Sequence, residues 1–329
     1  MTSTATTLSF PEYIILQFSS IYMALLAVIG GLVILVCGGE LLVSGAVKLA
    51  RRLGMSSLLI GLTVVAFGTS MPELFVSLTA ALEDHVEIMV GNVVGSNIAN
   101  IGLVLGVSIM LRSLPVHFSK IARELYLLLF AGAAVAVISL FGCFNRFYGA
   151  VFFAVLIAYT CQAYINGRSH DTDFPIKENI VPHSYLAIFS LCGSGLFFLA
   201  LGSKIFIAGA VAVARFAGIS DLVIGLTMAA VGTSLPELAS SLSALRRNQG
   251  DLLIGNILGS NLFNLLMVMG TTAMVTPFVM PRQTLIRDLP VMICFSALLI
   301  PVIVRHHSLK RIHGVMLVLA YGGYIYSLM

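Results

Sequence analysis

The chain has 329 residues, of which 59% are hydrophobic and 10% charged, with a mean hydropathy of +1.03. A soluble domain carries about a quarter charged residues, so a water-soluble fold is excluded. The net charge of +4 is no nucleic-acid signature, because the basic residues sit in short loops between apolar runs. Five cysteines, Cys37, Cys143, Cys161, Cys192 and Cys294, lie scattered in apolar segments without metal spacing and read as small buried hydrophobes.

The first twenty residues contain no Lys or Arg, which argues against a cleaved signal peptide and for a short polar lead. Apolar runs long enough to cross a bilayer then recur to the end of the chain. The expectation is an all-α integral membrane protein with ten transmembrane helices. They fall near 21–48, 55–82, 88–111, 122–143, 147–166, 184–212, 219–245, 252–276, 286–304 and 313–328. The fourth, fifth, ninth and tenth carry few polar groups and read as lipid-facing scaffold. Residues 167–183 form the one polar linker and divide the chain into five-helix units at 21–166 and 184–329. Thirteen Lys and Arg fall on the linker's side of the membrane and four on the other. By the positive-inside rule the linker is cytoplasmic and both termini are outside. An inner (plasma) membrane location and a monomer are expected. The acidic loop from Glu83 to Glu87 then faces out as a solvated loop.

The two units repeat one another. Gly61–Leu74 and Gly225–Leu238 share 10 of 14 residues, and GNVVGSNIAN (91–100) and GNILGSNLFN (255–264) share 6 of 10, both at an offset of 164. Five spans is an odd number, so the second unit enters the membrane from the opposite side. This is an inverted-topology repeat, a device of secondary transporters that places a shared site near mid-membrane.

Three acids stand out inside spans: Glu40, Glu73 and Glu237. A charge at the centre of a spanning helix costs about 2.5–3.5 kcal/mol on insertion scales. Glu73 and Glu237 are repeat mates, each ending a Gly-Thr-Ser-x-Pro-Glu word. Pro72 and Pro236 lack an amide hydrogen and disfavour helix at the preceding residue. The resulting kink frees carbonyls of residues such as Ala66, Thr69, Ala230 and Thr233, which at that depth must line a cavity or bind something. Thr69 shares a helix face with Glu73. Asn92, Ser96 and Asn100, and likewise Asn256, Ser260 and Asn264, make polar stripes four residues apart. Carboxylate, hydroxyl, amide and carbonyl oxygens without Cys or His suit Ca²⁺ or Na⁺ better than zinc or copper. Gly91, Gly95, Gly255 and Gly259 make small-xxx-small pairs for close helix approach. Glu40 has Lys204 as its repeat mate, and either pairs with it or snorkels. No nucleotide motif or nucleophile–base pair is present, so neither an enzyme nor an ATP-driven pump is expected, and no cofactor.

GTSMPE with GNVVGSNIAN, and GTSLPE with GNILGSNLFN, resemble the α-repeats of the cation/calcium exchanger superfamily. The likeness is greatest to its prokaryotic sodium/calcium exchanger branch and the related potassium-dependent exchangers, and it covers the chain from about residue 21 to the end. The resemblance implies a ten-span antiporter exchanging Na⁺ for Ca²⁺ by alternating access. It implies Glu73, Glu237, Thr69 and Thr233 as Ca²⁺ ligands. Sodium sites would add Ser70, Ser234, Ser96 and Ser260, with Ala66 and Ala230 through their carbonyls. Asn100 and Asn264 would close the centre. Several relatives carry Asp where Asn264 stands, so this site has two carboxylates rather than three, which bears on stoichiometry and on any K⁺ requirement. Proton-coupled relatives carry a further Glu soon after the Gly-Asn, which GNVVGSN lacks. Cation/H⁺ antiport is the alternative, and a channel or membrane scaffold with a structural cation stands behind both.

Overall fold

The computed structural model describes residues 18, 20–167, 184–218 and 232–328. The polar lead, the linker from residue 168, and the first part of the seventh span with Ala230 lie outside the described residues.

The described chain is helical apart from four two-residue strands. The helices are α1 (Ile21–Leu53), α2 (Ser57–Thr69), α3 (Met71–Leu82), α4 (Val86–Leu111), α5 (Phe118–Phe141), α6 (Arg146–Gly167), α7 (Tyr185–Phe216), α8 (Leu235–Arg246), α9 (Gly250–Val275), α10 (Thr284–His306) and α11 (Arg311–Leu328). Among the described residues seven helices are long and apolar enough to cross a membrane, and α2 with α3, bent by 42°, makes an eighth. The chain is therefore a multi-pass membrane protein.

The local chemistry sets the helix ends. Ser20, Ser56 and Ser184 sit in extended backbone and cap α1, α2 and α7 by accepting the amides of Met23, Leu59 and Ala187. Gly54 closes α1 in the left-handed region at φ 64°, as Gly218 at φ 77° does 164 residues later.

Two long helices, α1 and α7, pack antiparallel through glycines spaced seven apart. Gly31 lies against Gly202 and Phe206, Gly38 against Gly195 and Leu199, and Gly45 against Cys192. A Cβ at Gly38 would meet the Leu199 amide nitrogen at 2.7 Å, so no larger residue allows this approach. At the centre are α4 and α9, whose apolar windows are 83% and 100% buried, against 22% for α1 and 28% for α7. Helix α2 crosses α9 closely at Gly255 and Gly259. Gly91, the counterpart of Gly255 on α4, faces no atom of the described residues within 4 Å, and most of the segment that would mirror α2 lies outside them.

Strand β1 (Leu114–Pro115) pairs with β4 (Ser308–Leu309), and β2 (Cys143–Phe144) pairs with β3 (Phe278–Val279), both antiparallel. Each ribbon ties a loop of one half to a loop of the other. Phe144 stacks on Phe278 across the second ribbon at 5.4 Å.

Three expectations need correction. Cys37, Cys143, Cys161 and Cys294 are exposed, and only Cys192 is buried; on a membrane protein an apolar outer surface accommodates them. Glu40 pairs with Arg247 at 2.8 Å and Arg246 at 3.6 Å, not with Lys204. The scaffold helices also hold buried acids. Glu124 on α5 takes Arg123 at 2.9 Å and the Tyr159 hydroxyl of α6 at 3.2 Å. Asp288 on α10 takes Arg287 at 2.7 Å and the Tyr324 hydroxyl of α11 at 3.2 Å. Arg123–Glu124 and Arg287–Asp288 are repeat mates at the 164 offset. Each acid is neutralised by its neighbour and pins two helices together.

Candidate cation-binding site

Helix α2 ends at Thr69, and Ser70 turns the chain into α3 with φ −84°, ψ 0°. Ser234 does the same before α8, with φ −86°, ψ 4°. This bridge conformation is sparsely populated and frequent at functional sites. It arises because Pro72 and Pro236 fall in the first turn of the following helix, where a missing amide is harmless. The carbonyl a proline amide would have served lies four residues back. At Gly232 that carbonyl accepts the Ser203 hydroxyl of α7 at 2.9 Å instead. The Ala66 carbonyl is not freed by the kink as expected: it accepts the Ser70 amide at 3.0 Å. It also accepts the Thr69 hydroxyl at 3.4 Å.

The turns point Glu73 and Glu237 inward at the first turns of α3 and α8, and both are fully buried. Their carboxylates interact electrostatically across the centre. The hydroxyl of Thr233 lies beside Glu73, and those of Thr69 and Ser260 lie beside Glu237. None completes a well-formed hydrogen bond: all four carboxylate oxygens are buried without a partner.

The walls are built by exchange between the halves. Thr69 of α2 is hydrogen-bonded to Asn256 Oδ1 and Ser260 Oγ of α9, each at 3.3 Å. Thr233 donates to Asn92 Oδ1 of α4 at 3.2 Å and meets Ser96 Oγ at 3.1 Å. Behind them Asn92 donates to Ser77 Oγ at 2.8 Å and to the Glu73 carbonyl at 3.1 Å. Asn256 donates to Ser240 Oγ at 3.1 Å and Ser241 Oγ at 3.4 Å. Asn97 and Asn261 donate to each other's carbonyls, both at 3.3 Å. The threonine bonds to asparagine and serine, the Asn92–Ser77 and Asn256–Ser241 bonds and the Asn97–Asn261 exchange are each made twice with the roles of the halves exchanged.

Both central helices loosen into π-type turns beginning at the two paired asparagines, over Asn100–Leu105 and Asn264–Val268. Such turns are uncommon and concentrate at functional sites. Asn100 spends its amide on Asn261 Oδ1 at 3.0 Å and leaves its own oxygen unpaired. Asn264 has neither amide nitrogen nor oxygen paired, and the Ser70 and Ser234 hydroxyls are likewise buried without partners.

The structure thus brings together Glu73, Glu237, Thr69, Thr233, Ser70, Ser234, Ser96, Ser260, Asn100 and Asn264, with Ala66 buried alongside. Sequence reasoning missed the supporting layer of Ser77, Ser240 and Ser241. The one available signal was their position three or four residues beyond Glu73 and Glu237. Burying polar oxygen without a hydrogen bond is costly, and burying carboxylate without a counter-charge far more so. A set of unpaired oxygens around two carboxylates suits a hard cation, which satisfies them all at once. Among the described residues there is no group of three or more His, Cys, Asp or Glu.

Comparison with known proteins points the same way. The sodium/calcium exchanger protein family matches residues 23–165 and 187–329, once on each half. CaxA from Alkalimonas amylolytica is 36% identical over 316 residues, covering 93% of this chain and 98% of its own. The sodium/calcium exchanger MaX1 from Methanosarcina acetivorans is 32% identical over 341 residues, covering 90% and 95%. Among solved structures, the sodium–calcium exchanger NCX_Mj soaked with Na⁺ and Sr²⁺ superposes with a TM-score of 0.81 at 30% identity. It covers 94% of this chain and 100% of its own.

Proposed function

The chain belongs to the sodium/calcium exchanger family, and from that premise we propose that it is a secondary antiporter moving Ca²⁺ one way across the membrane against Na⁺ the other. The observation that carries this reading is the cluster of partnerless oxygens around Glu73 and Glu237. A Ca²⁺ ion takes 6–8 oxygens at about 2.3–2.6 Å, and the two mirrored turns offer carboxylate, hydroxyl and amide oxygens in that number. Glu73, Glu237, Thr69 and Thr233 bind Ca²⁺. Ser70, Ser96, Ser234 and Ser260, with the carbonyls of Ala66 and Ala230, complete sites for Na⁺, and Asn100 and Asn264 line the centre.

Ten spans in two inverted five-helix repeats, 21–166 and 184–329, would let the site open alternately to either face. The reciprocal hydrogen bonds at an offset of 164 support that symmetry. Two carboxylates neutralise one Ca²⁺ or two Na⁺, so either load carries the site past the apolar barrier. An unloaded site holds two uncompensated charges at mid-membrane and resists the transit. That difference couples the two ions. The long glycine-lined helices α1 and α7 are the candidates to slide. The linker lies in the cytoplasm of a chain placed in the inner (plasma) membrane, with both termini outside, and the unit is a monomer.

The same carboxylates could bind protons instead, and K⁺ could share the site, so the test must separate the driving ions. Purified protein in proteoliposomes is loaded with Na⁺, K⁺ or buffered H⁺ and given radiolabelled Ca²⁺ outside. Uptake is expected only with an outward Na⁺ gradient. Uptake driven by a pH gradient in Na⁺-free medium would replace Na⁺ with H⁺ in the scheme.

A further inference from the structure

Glu40 on α1 and Lys204 on α7 are 164 residues apart, and so are Glu83 after α3 and Arg247 after α8. One of these two mirrored pairs is closed in the structure. Glu40 takes Arg247 at 2.8 Å with Arg246 at 3.6 Å. Beside it α1 packs tightly on α8: a Cβ at Gly39 would lie 2.7 Å from both the Ala239 carbonyl and Ser243 Oγ, and Ser243 is buried.

The mirrored face is bare. Phe75 and Thr79 of α3, the counterparts of Ala239 and Ser243, are exposed, Phe75 by 62%. Helix α7 runs no comparable stretch along α3. Lys204 and Glu83 are both exposed and make no ion pair with each other. Yet their charges are complementary, with the signs exchanged. The acid on the first half's long helix meets the arginine after the second half's short helix. In the mirrored combination the lysine on the second half's long helix corresponds to the acid after the first half's short helix. A snorkelling lysine alone does not explain why the sign changes at both positions together.

We propose that Lys204 and Glu83 form the second of two alternating ion pairs. The Glu40–Arg247 pair holds α1 on α8 in the state seen here. The Lys204–Glu83 pair holds α7 on α3 when the molecule opens to the other side, and each breaks as its mate forms. This rests on the alternating-access reading above. Exposed ion pairs are weak, so each biases the equilibrium between the states without locking it.

Cross-linking tests the idea without depending on transport. In a chain whose five native cysteines are replaced by serine, Glu40→Cys with Arg247→Cys makes one pair and Lys204→Cys with Glu83→Cys the other. A short bis-maleimide is expected to close each pair alone. In the chain carrying all four substitutions, closing one pair should cut the yield at the other by about tenfold, within the usual range of coupling between sites. Independent yields in the four-substitution chain, or no product at Lys204–Glu83 while Glu40–Arg247 reacts, would overturn the proposal. Single-site chains guard against misfolding of the combined variant. Labelling rates of Arg247→Cys and Glu83→Cys with a charged maleimide should move in opposite directions as Ca²⁺ or Na⁺ is varied, and movement together would also overturn it. Failure of the exchange reading would show separately, as absent radiolabelled Ca²⁺ flux in the unmodified protein.

Discussion

Thr69 and Thr233 each sit between a carboxylate and an asparagine–serine pair that both belong to the opposite half. Their hydroxyls are oriented by Asn256 and Asn92, which are held in turn by Ser240 and Ser77. On the proposed reading, removing a hydroxyl deletes one ion contact, and it releases the asparagine behind it. A hydrogen bond to a charged group is worth about 1.5–3 kcal/mol. Thr69→Ala and Thr233→Ala should each weaken apparent Ca²⁺ affinity by about tenfold or more, read from the concentration dependence of uptake. Asn92→Ala should act in the same direction through Thr233 and Ser77, and unchanged affinity there would show that the supporting layer does not orient the threonines. The carboxylates and their neighbours were legible from the chain because their wording occurs twice. The supporting serines were not, since a serine inside an apolar helix looks alike whether it faces the centre, a neighbouring helix or lipid.

At the scale of elements, the repeated Gly-Thr-Ser-x-Pro-Glu word does show where each helix breaks, because proline and glycine act through local backbone sterics. The π-type turns at Asn100 and Asn264 were not legible, because no local residue requires them. The contacts α4 and α9 make from both sides decide them. The buried acids on α5 and α10, each bound by an arginine and a tyrosine, were missed for a related reason. Glu124 and Asp288 lie near helix ends, where an acid reads as interfacial until packing shows it enclosed. Glu124→Gln leaves the Arg123 guanidinium with a weaker acceptor beside a buried amide. It should lower stability in detergent by about 1–3 kcal/mol, read as a lower midpoint of thermal unfolding, while Ca²⁺ affinity stays unchanged. Gly38→Leu should be more damaging, since the Leu199 backbone stands 2.7 Å from the new Cβ and cannot yield. Its expected signature is lost transport with the helices still formed, seen by circular dichroism.

For the whole molecule, composition alone established a membrane protein, and the duplicated motifs established that the halves correspond. Neither could reveal how the halves meet. The two ribbons, the Asn97–Asn261 exchange and the crossing of Thr69 to α9 with Thr233 to α4 show each half completing the other's wall. Halves built this way cannot form a site separately, so transport should require both carboxylates at once. The deciding measurement is radiolabelled Ca²⁺ uptake into proteoliposomes driven by outward Na⁺, comparing the parent chain with Glu73→Gln and Glu237→Gln at matched incorporation. Uptake is expected to vanish in both variants. Near-parent uptake in either one would contradict a single pocket shared by the two mirrored carboxylates.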